Sequence, residues 1–176
     1  MGGKIHFESE LGVGTTFYIT LPFRVDPNPP KAESAKPEQA ASIKGAHILL
    51  VEDNELNMEI SQYILEGAGA IVAQAWNGKE AVRRFSESEP GTFDCILMDV
   101  MMPLMDGLEA TRTIRAMQRP DAATIPIVAM TANTFSEDEQ RSREAGMNLF
   151  LNKPVDSGKM LQTVLECLKM GGENAL

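Results

Sequence analysis

Polar residues that suit phosphate or metal chemistry stand at the ends of four short apolar runs. Along the chain they are Glu52 and Asp53, then Asp99, Thr131 and Lys153. In an open parallel sheet the strands end along one edge, and ligands collect there. The intervals between these positions each fit one or two strand–helix units. We therefore expect these side chains to converge on a single site.

Three carboxylates beside a lysine and a threonine suit phosphoryl transfer with a metal ion. Crowded carboxylates repel one another unless a cation lies between them. All-oxygen ligands suit Mg²⁺, which keeps several waters and takes further oxygens from a phosphate. Lys153 supplies a positive charge, and Thr131 a hydroxyl that can donate to a phosphoryl oxygen. A carboxylate in such a site can attack phosphorus and form an aspartyl phosphate.

Each of these residues also has a simpler interpretation. Acidic pairs at strand ends commonly face solvent, and Lys153, directly before Pro154, could be a loop charge. Taken singly, the simpler interpretation is favoured for every residue. The complete set at successive strand ends favours a shared site instead.

The elements that must position this set form a repeated strand–helix pattern. Five short apolar runs are suited to strands buried on both faces; they are Ile48–Val51, Ile71–Ala73, Cys95–Met98, Ile127–Met130 and Leu149–Leu151. Helical segments are expected between them: Asn77 with Glu80 and Ser136 with Glu139 predict two helix starts, and one segment repeats apolar residues at helical spacing, at Leu56, Ile60, Tyr63 and Ile64. The pattern predicts a parallel sheet with helices on both faces.

The N-terminal region has a different texture. Residues 4–9 alternate polar and apolar side chains, and residues 15–21 are a second run with high strand propensity after a glycine-rich turn, which predicts a hairpin within residues 1–23. Residues 24–45 are rich in proline and nearly free of large apolar side chains, so we expect a flexible linker. The strand–helix domain is expected over residues 46–170, with a tail at 171–176.

Composition narrows the class of protein. Hydrophobic residues make up 43% of the chain, which is globular composition, and the formal net charge of -9 disfavours binding to nucleic acid or an anionic membrane. Cys95 and Cys167 lie in apolar segments, so we expect buried, reduced thiols. No apolar stretch is long enough to span a bilayer. These observations predict a cytoplasmic protein without direct membrane contact.

Four motifs together resemble the receiver (response-regulator) domain of two-component signalling. They are Val51-Glu52-Asp53-Asn54, the run from Met98 to Gly107 (MDVMMPLMDG), Thr131-Ala132-Asn133 and Lys153-Pro154. The resemblance covers about residues 46–169. It implies a flavodoxin-like, doubly wound, five-stranded parallel sheet with strand order 2-1-3-4-5.

The resemblance also implies roles at the metal and phosphate site. Asp99 matches the phosphoacceptor. Asp53 matches a direct Mg²⁺ ligand, whereas Glu52 is expected to act through a water. The backbone carbonyl of Met101 matches the third protein ligand.

Further roles concern sensing of the phosphoryl group and its loss to water. Thr131 and Lys153 match the phosphate-sensing pair, and Phe150 occupies the aromatic switch position. The alternative for Phe150 is a role in core packing alone. Met101 and Asn133 are the positions best placed to hold or exclude a hydrolytic water.

Residues 1–23 resemble the last strands of a histidine-kinase ATP-binding domain. We therefore expect the terminal receiver of a hybrid histidine kinase, in which the kinase remnant neither binds ATP nor phosphorylates itself. Its His6 lies in a predicted strand and is not a phosphodonor. A phosphohistidine donor and a histidine phosphotransfer protein are the expected partners, and a homodimer through the fourth helix, fifth strand and fifth helix is possible.

Three other functions are compatible with parts of this residue pattern. A stand-alone receiver could act as a phosphorylation-switched or constitutive binding module. An aspartate-nucleophile phosphatase also uses Asp, Thr, Lys and Mg²⁺, but it needs a second aspartate where this chain has Met101. A flavodoxin-type flavin module would bind phosphate in the first loop, where Glu52, Asp53 and Glu55 would repel it.

Overall fold

The computed structural model describes residues 2–12, 14–22, 43–132 and 136–173. The chain divides into two compact units, Met1–Ala40 and Ala41–Leu176. Most of the expected linker, residues 24–42, lies outside the described residues, as do residues 174–176 of the expected tail. Among the described helices, none has the length and apolar character needed to cross a membrane.

The first unit contains a two-stranded antiparallel hairpin of β1 (Lys4–Glu10) and β2 (Gly14–Thr20). Gly12 and Gly14 at the turn have φ of 82° and 134°, a region that glycine enters without steric cost. Ile5 pairs with Ile19 and Phe7 with Phe17, so these side chains share one face of the ribbon. All of them are exposed.

The second unit is a five-stranded parallel sheet. Its strands are β3 (His47–Val51), β4 (Ile71–Ala75), β5 (Cys95–Asp99), β6 (Ile127–Thr131) and β7 (Leu149–Asn152). They lie in the order β4-β3-β5-β6-β7. This order is 2-1-3-4-5 within the unit and confirms the predicted flavodoxin-like fold.

In the described part of this unit four helices connect the strands and a fifth follows the last strand: α1 (Glu55–Gly67), α2 (Gly78–Glu87), α3 (Gly107–Arg115), α4 (Ser136–Ala145) and α5 (Ser157–Glu173). Successive side chains of a strand point to opposite faces, so each face of the sheet has its own apolar core. Leu49 packs in a cluster with Phe85 of α2 and Ile114 of α3. Leu50 packs on the other face with Met58 of α1 and Val164 of α5.

Side-chain caps fix where the helices begin. The Asn54 side chain accepts a hydrogen bond from the Asn57 N–H at 3.0 Å at the start of α1. Asn77 caps α2 by accepting from the Glu80 N–H at 3.0 Å, which confirms that predicted start. Glu80 reaches back to accept from the Trp76 N–H, and this bond helps to lower the pKa of Glu80. The side chain of Ser136 lies outside the described residues.

Arg119 links two segments at the end of the second unit opposite the strand carboxyl ends. Arg119 makes a two-pronged ion pair with Asp121, stacks over the Phe85 ring at 4.1 Å, and donates to the carbonyl of Ser88 at 3.1 Å. These contacts join the connection after α3 to the C-terminal end of α2. The ion pair with Arg119 lowers the pKa of Asp121.

The two cysteines are buried free thiols, as expected. Cys95 begins β5 and Cys167 lies in α5, on the same core. A hydrogen bond with Cys167 and burial together raise the pKa of Cys95 well above its ordinary value. Such a thiol is unreactive, because the thiolate is the nucleophile.

Candidate functional site

The carboxyl ends of β3, β5, β6 and β7 lie along one edge of the sheet. Val51 at the end of β3 pairs with Met98, and Asp99 at the end of β5 pairs with Met130. Thr131 at the end of β6 pairs with Asn152. The residues that follow or end these strands therefore lie side by side, as the sequence predicts.

Three carboxylates form a cluster at this edge. One oxygen each of Glu52, Asp53 and Asp99 lies within 4.8 Å of the others. Glu52 is 1% exposed and Asp99 5% exposed, whereas Asp53 is exposed. Hard oxygen donors with one side open to water suit Mg²⁺, which retains part of its hydration shell. The donor set therefore fits the ion that the sequence predicts.

Lys153 joins two of these carboxylates. Its Nζ donates to Asp99 Oδ2 at 2.6 Å and also to Glu52 Oε2. Burial alone would lower the pKa of Lys153, but the hydrogen bonds to Asp99 and Glu52 outweigh it and the pKa is raised. The amine is therefore charged at neutral pH.

Asp99 is held on both oxygens before any phosphate arrives. Besides Lys153 on Oδ2, the Met101 N–H donates to Oδ1 at 3.1 Å. Burial raises the pKa of Asp99 and outweighs the opposing effect of Lys153. A Cβ on Gly107 would lie 2.2 Å from the Asp99 carbonyl oxygen, so glycine is required where α3 begins. The loop after β5 can thus fold tightly against the site.

Thr131 ends the neighbouring strand β6 and lines a cavity at this edge of the sheet. It is 7% exposed, and its carbonyl accepts from the Lys153 N–H at 2.8 Å. The cavity has a volume of about 260 Å³, and its lining includes Met101, Thr131 and Arg141. The Met101 side chain is 76% exposed. Asn133, the other position predicted to affect a hydrolytic water, lies outside the described residues.

Phe150 is half-buried in β7 and packs against the apolar core. The Arg143 guanidinium of α4 lies over its ring, 4.7 Å from the centroid. A cation over an aromatic face is an attractive contact. Phe150 therefore packs against the core and also contacts α4, a helix near the site.

Two residues near the site were missed in the sequence. Asn57 Nδ2 donates to Glu52 Oε1 at 3.0 Å, and Arg143 covers Phe150. Asn57 stands three residues after the cap of α1, so its place in the first helical turn was readable. Its contact with Glu52 depends on how α1 packs on the sheet, which no residue pattern specifies.

Comparison with known proteins gives a family match and close structural relatives. The family model described as "Response regulator receiver domain" matches residues 48–165. The chain is 36% identical over 155 residues to the aerobic respiration control sensor protein ArcB of Escherichia coli, covering 88% of this chain and 19% of that protein. The chain thus spans less than a fifth of the length of that relative.

Two solved structures share the fold of the second unit. The receiver domain of sensor histidine kinase PA1611 from Pseudomonas aeruginosa, with a magnesium ion coordinated in its active-site cleft, is 38% identical. The match covers 73% of this chain and 98% of that one, with a TM-score of 0.63. A response regulator receiver domain of Saccharomyces cerevisiae, crystallised with a histidine phosphotransfer signalling protein, is 30% identical, with 76% and 93% covered and a TM-score of 0.64.

Proposed function

This chain belongs to the response regulator receiver domain family, and we propose that Asp99 accepts a phosphoryl group from a phosphohistidine in a phosphorelay. The observation that carries the proposal is the cluster of Glu52, Asp53 and Asp99 with Lys153 Nζ 2.6 Å from Asp99. Such a cluster combines a nucleophilic carboxylate, a cation site and a fixed positive charge. These are the components that phosphoryl transfer requires.

The cation proposed for the acidic cluster is Mg²⁺. Asp53, Asp99 and the backbone carbonyl of Met101 would hold it, with Glu52 acting through a water. Bound there, Mg²⁺ would supply charge neutralisation for the incoming phosphoryl oxygens. The exposure of Asp53 supports this assignment, because a metal with bound waters needs an open side.

In the transfer step, an Asp99 carboxylate oxygen attacks phosphorus in line with the leaving imidazole nitrogen. The new bond is P–O and the broken bond is P–N, and the leaving imidazole takes one proton from water and departs neutral. Lys153 exchanges its contact with Asp99 for one with a phosphoryl oxygen, and the Thr131 hydroxyl donates to another. The loose transition state gains most from this positioning and charge neutralisation.

A helical partner that carries the phosphohistidine has an apolar surface to bind beside the site. Leu56 and Ile60 of α1 are 64% and 47% exposed. Ile60 also lines a cavity of about 140 Å³ with Lys153 and Pro154, next to Glu52. Exposed apolar side chains around a functional cleft commonly mark a protein interface. The related yeast receiver, crystallised with a histidine phosphotransfer protein, supports this class of partner.

We further propose that the chain is the receiver of a hybrid histidine kinase, with residues 1–23 as the end of its ATP-binding domain. What supports the proposal is that the similarity to the ArcB sensor covers 88% of this chain, a larger part of it than the residues 48–165 matched by the receiver family. The proposed boundaries are a linker at 24–45, the receiver at 46–170 and a tail at 171–176. A homodimer and a cytoplasmic location stay predictions.

The test of the proposed function is transfer from a phosphohistidine. A histidine phosphotransfer protein carrying radiolabelled phosphate is mixed with the chain and Mg²⁺, and label on each protein is followed by gel. We expect label to leave the donor and appear on the chain, and no transfer to Asp99→Asn or in excess chelator. Transfer that is unchanged by both treatments would refute the proposal.

A further inference from the structure

Glu52 is the most enclosed carboxylate of the site, and each of its oxygens has a separate hydrogen-bond donor. Oε2 accepts from Lys153 Nζ, and Oε1 accepts from Asn57 Nδ2 at 3.0 Å. The residue is 1% exposed. A buried carboxylate oxygen without a donor is costly, so this second hydrogen bond matters for where the carboxylate settles.

The donor on Oε1 is set in place by the start of α1. Asn54 accepts from the Asn57 N–H at 3.0 Å and fixes the first helical turn. That turn follows directly after the end of β3, which places the Asn57 side chain next to Glu52. Asn57 and Glu52 also line the same cavity of about 140 Å³, together with Lys153. Asn57 is thus held by its own backbone while its amide reaches the acidic cluster.

We infer that Asn57 is a positioning residue for the cation site, acting through Glu52; the inference rests on the proposed Mg²⁺-dependent function. A glutamate has one more rotatable bond than an aspartate, so its carboxylate needs more restraint to stay in a fixed place. Lys153 restrains one oxygen but is needed at Asp99 as well. The neutral amide of Asn57 restrains the other oxygen without cancelling the negative charge that attracts a cation.

This role differs from a purely structural one in what it affects. If Asn57 only stabilised the start of α1, its loss would lower thermal stability and leave Mg²⁺ affinity unchanged. If it orients Glu52, its loss lowers Mg²⁺ affinity, and the effect disappears once the Glu52 carboxylate is gone. A double-mutant cycle separates the two.

The experiment measures Mg²⁺ binding by titration calorimetry, with MgCl₂ as the probe, and thermal unfolding in parallel. The variants are Asn57→Leu, Glu52→Ala and the double variant, with Asn57→Ala in reserve if the leucine variant does not fold. Gln62→Leu is the matched control, because Gln62 is an amide on the same helix that bonds Glu66 and Gln74 away from the site.

We expect Asn57→Leu to weaken Mg²⁺ binding about tenfold, the lower range for loss of a residue that orients a metal ligand. Gln62→Leu should leave it unchanged, and in the Glu52→Ala background Asn57→Leu should have no further effect. Unchanged affinity in Asn57→Leu, or an equal loss in both backgrounds, overturns the inference alone. Wild-type protein that binds no Mg²⁺ overturns the inference and the proposed metal together.

Discussion

Two opposing effects act on the carboxyl group of Asp99, and their balance suits a nucleophile. Burial raises the pKa of its carboxyl, while Lys153 at 2.6 Å favours the charged form. The same lysine contacts Glu52, so one cation serves two carboxylates. The cluster keeps excess negative charge, which a divalent cation can neutralise. The charges of these residues therefore suit a metal ion and an incoming phosphoryl group.

Replacing Met101 should change how long a phosphoryl group survives on Asp99. The residue stands two after Asp99, lines the cavity that Thr131 also lines, and offers a thioether that holds water poorly. Met101→Asn should speed hydrolysis about 10- to 100-fold, which is about 1.4 to 2.8 kcal/mol in the barrier. The decay of purified phosphoprotein at saturating Mg²⁺ measures this, with Met101→Leu as the apolar control. If Met101→Asn decays no faster than Met101→Leu, the side chain does not shield the phosphorus.

The convergence of Glu52, Asp53, Asp99 and Lys153 was predictable because strand ends in a parallel sheet share one edge. Asn57 and Arg143 were not predictable in their roles. Their partners, Glu52 and Phe150, are reached across the space between a helix and the sheet. The separation between a helix and the sheet depends on the packing of many side chains rather than on residue spacing along the chain.

Among the elements, the loop from β5 to α3 carries local backbone strain. Leu104 has a φ of 70°, in the left-handed region that non-glycine residues rarely adopt, and its side chain is 75% exposed. The loop must nevertheless turn sharply, because Gly107 N–H bonds back to the Val100 carbonyl at 3.0 Å. The positive φ of Leu104 therefore accompanies the sharp turn of this loop, which also contains Met101.

Leu104→Gly should stabilise the protein. Glycine adopts positive φ freely, and the exposed leucine makes little packing to lose, so we expect a gain of about 0.5–1 kcal/mol in the free energy of unfolding. Denaturant unfolding measures it. Leu104→Ala, which removes the side chain but keeps a Cβ, should give no gain. A glycine variant no more stable than the alanine variant would contradict the strain.

The Arg119–Asp121 pair should contribute stability that depends on pH. The pKa of Asp121 is below its ordinary 3.8, so the pair stabilises the fold above that value and loses its effect as pH falls through the lowered pKa. Asp121→Asn should cost about 2 kcal/mol at pH 7 and less at pH 3. Denaturant unfolding at both values gives the difference.

A suitable control for that pair is Glu87→Gln. Glu87 pairs with Arg83 on the surface, where both side chains are more than half exposed, so its loss should cost under about 0.5 kcal/mol. An Asp121→Asn cost that is the same at pH 3 and pH 7 would mean that charge does not explain the contribution of the pair.

The predicted strands show which features of the sheet apolar runs identify and which they miss. The short apolar runs located all five strands of the sheet, but burial on both faces is wrong for the edge strands: Ile71 of β4 is 53% exposed and β7 is only partly buried. The strand β4 also extends two residues beyond the predicted Ile71–Ala73. The cause is Gln74, a polar residue at the sheet edge whose amide bonds Gln62 of α1. A polar residue with a partner outside the strand breaks the apolar pattern without breaking the strand.

At the scale of the whole molecule, the parallel-sheet unit contains its own core. Its buried apolar residues begin at Ile43 and continue to Cys167, in clusters on both faces of the sheet. The hairpin unit instead exposes its large apolar side chains, among them Phe7 and Phe17. The receiver fold is therefore accounted for by residues of the second unit.

Removal of the first unit should leave the second folded. A chain that begins at Ala41, the start of the second unit, keeps Ile43 and every other residue of its core. We expect its thermal midpoint to lie within a few degrees of that of the full chain, measured by circular dichroism. A much lower midpoint would show that the sheet unit needs residues 1–40 for its stability.

The central claim, that Asp99 is the phosphoacceptor of a Mg²⁺-dependent site, has one direct test. The full chain is incubated with a small phosphodonor such as phosphoramidate, with and without Mg²⁺, and its intact mass is measured. Asp94→Asn is the matched control, since Asp94 precedes the opposite end of the same strand and its side chain accepts from the His47 N–H at 2.7 Å. We predict one added, hydroxylamine-sensitive phosphoryl group in wild type and Asp94→Asn with Mg²⁺, and none in Asp99→Asn. Full modification of Asp99→Asn, or none of the wild type, would contradict the account.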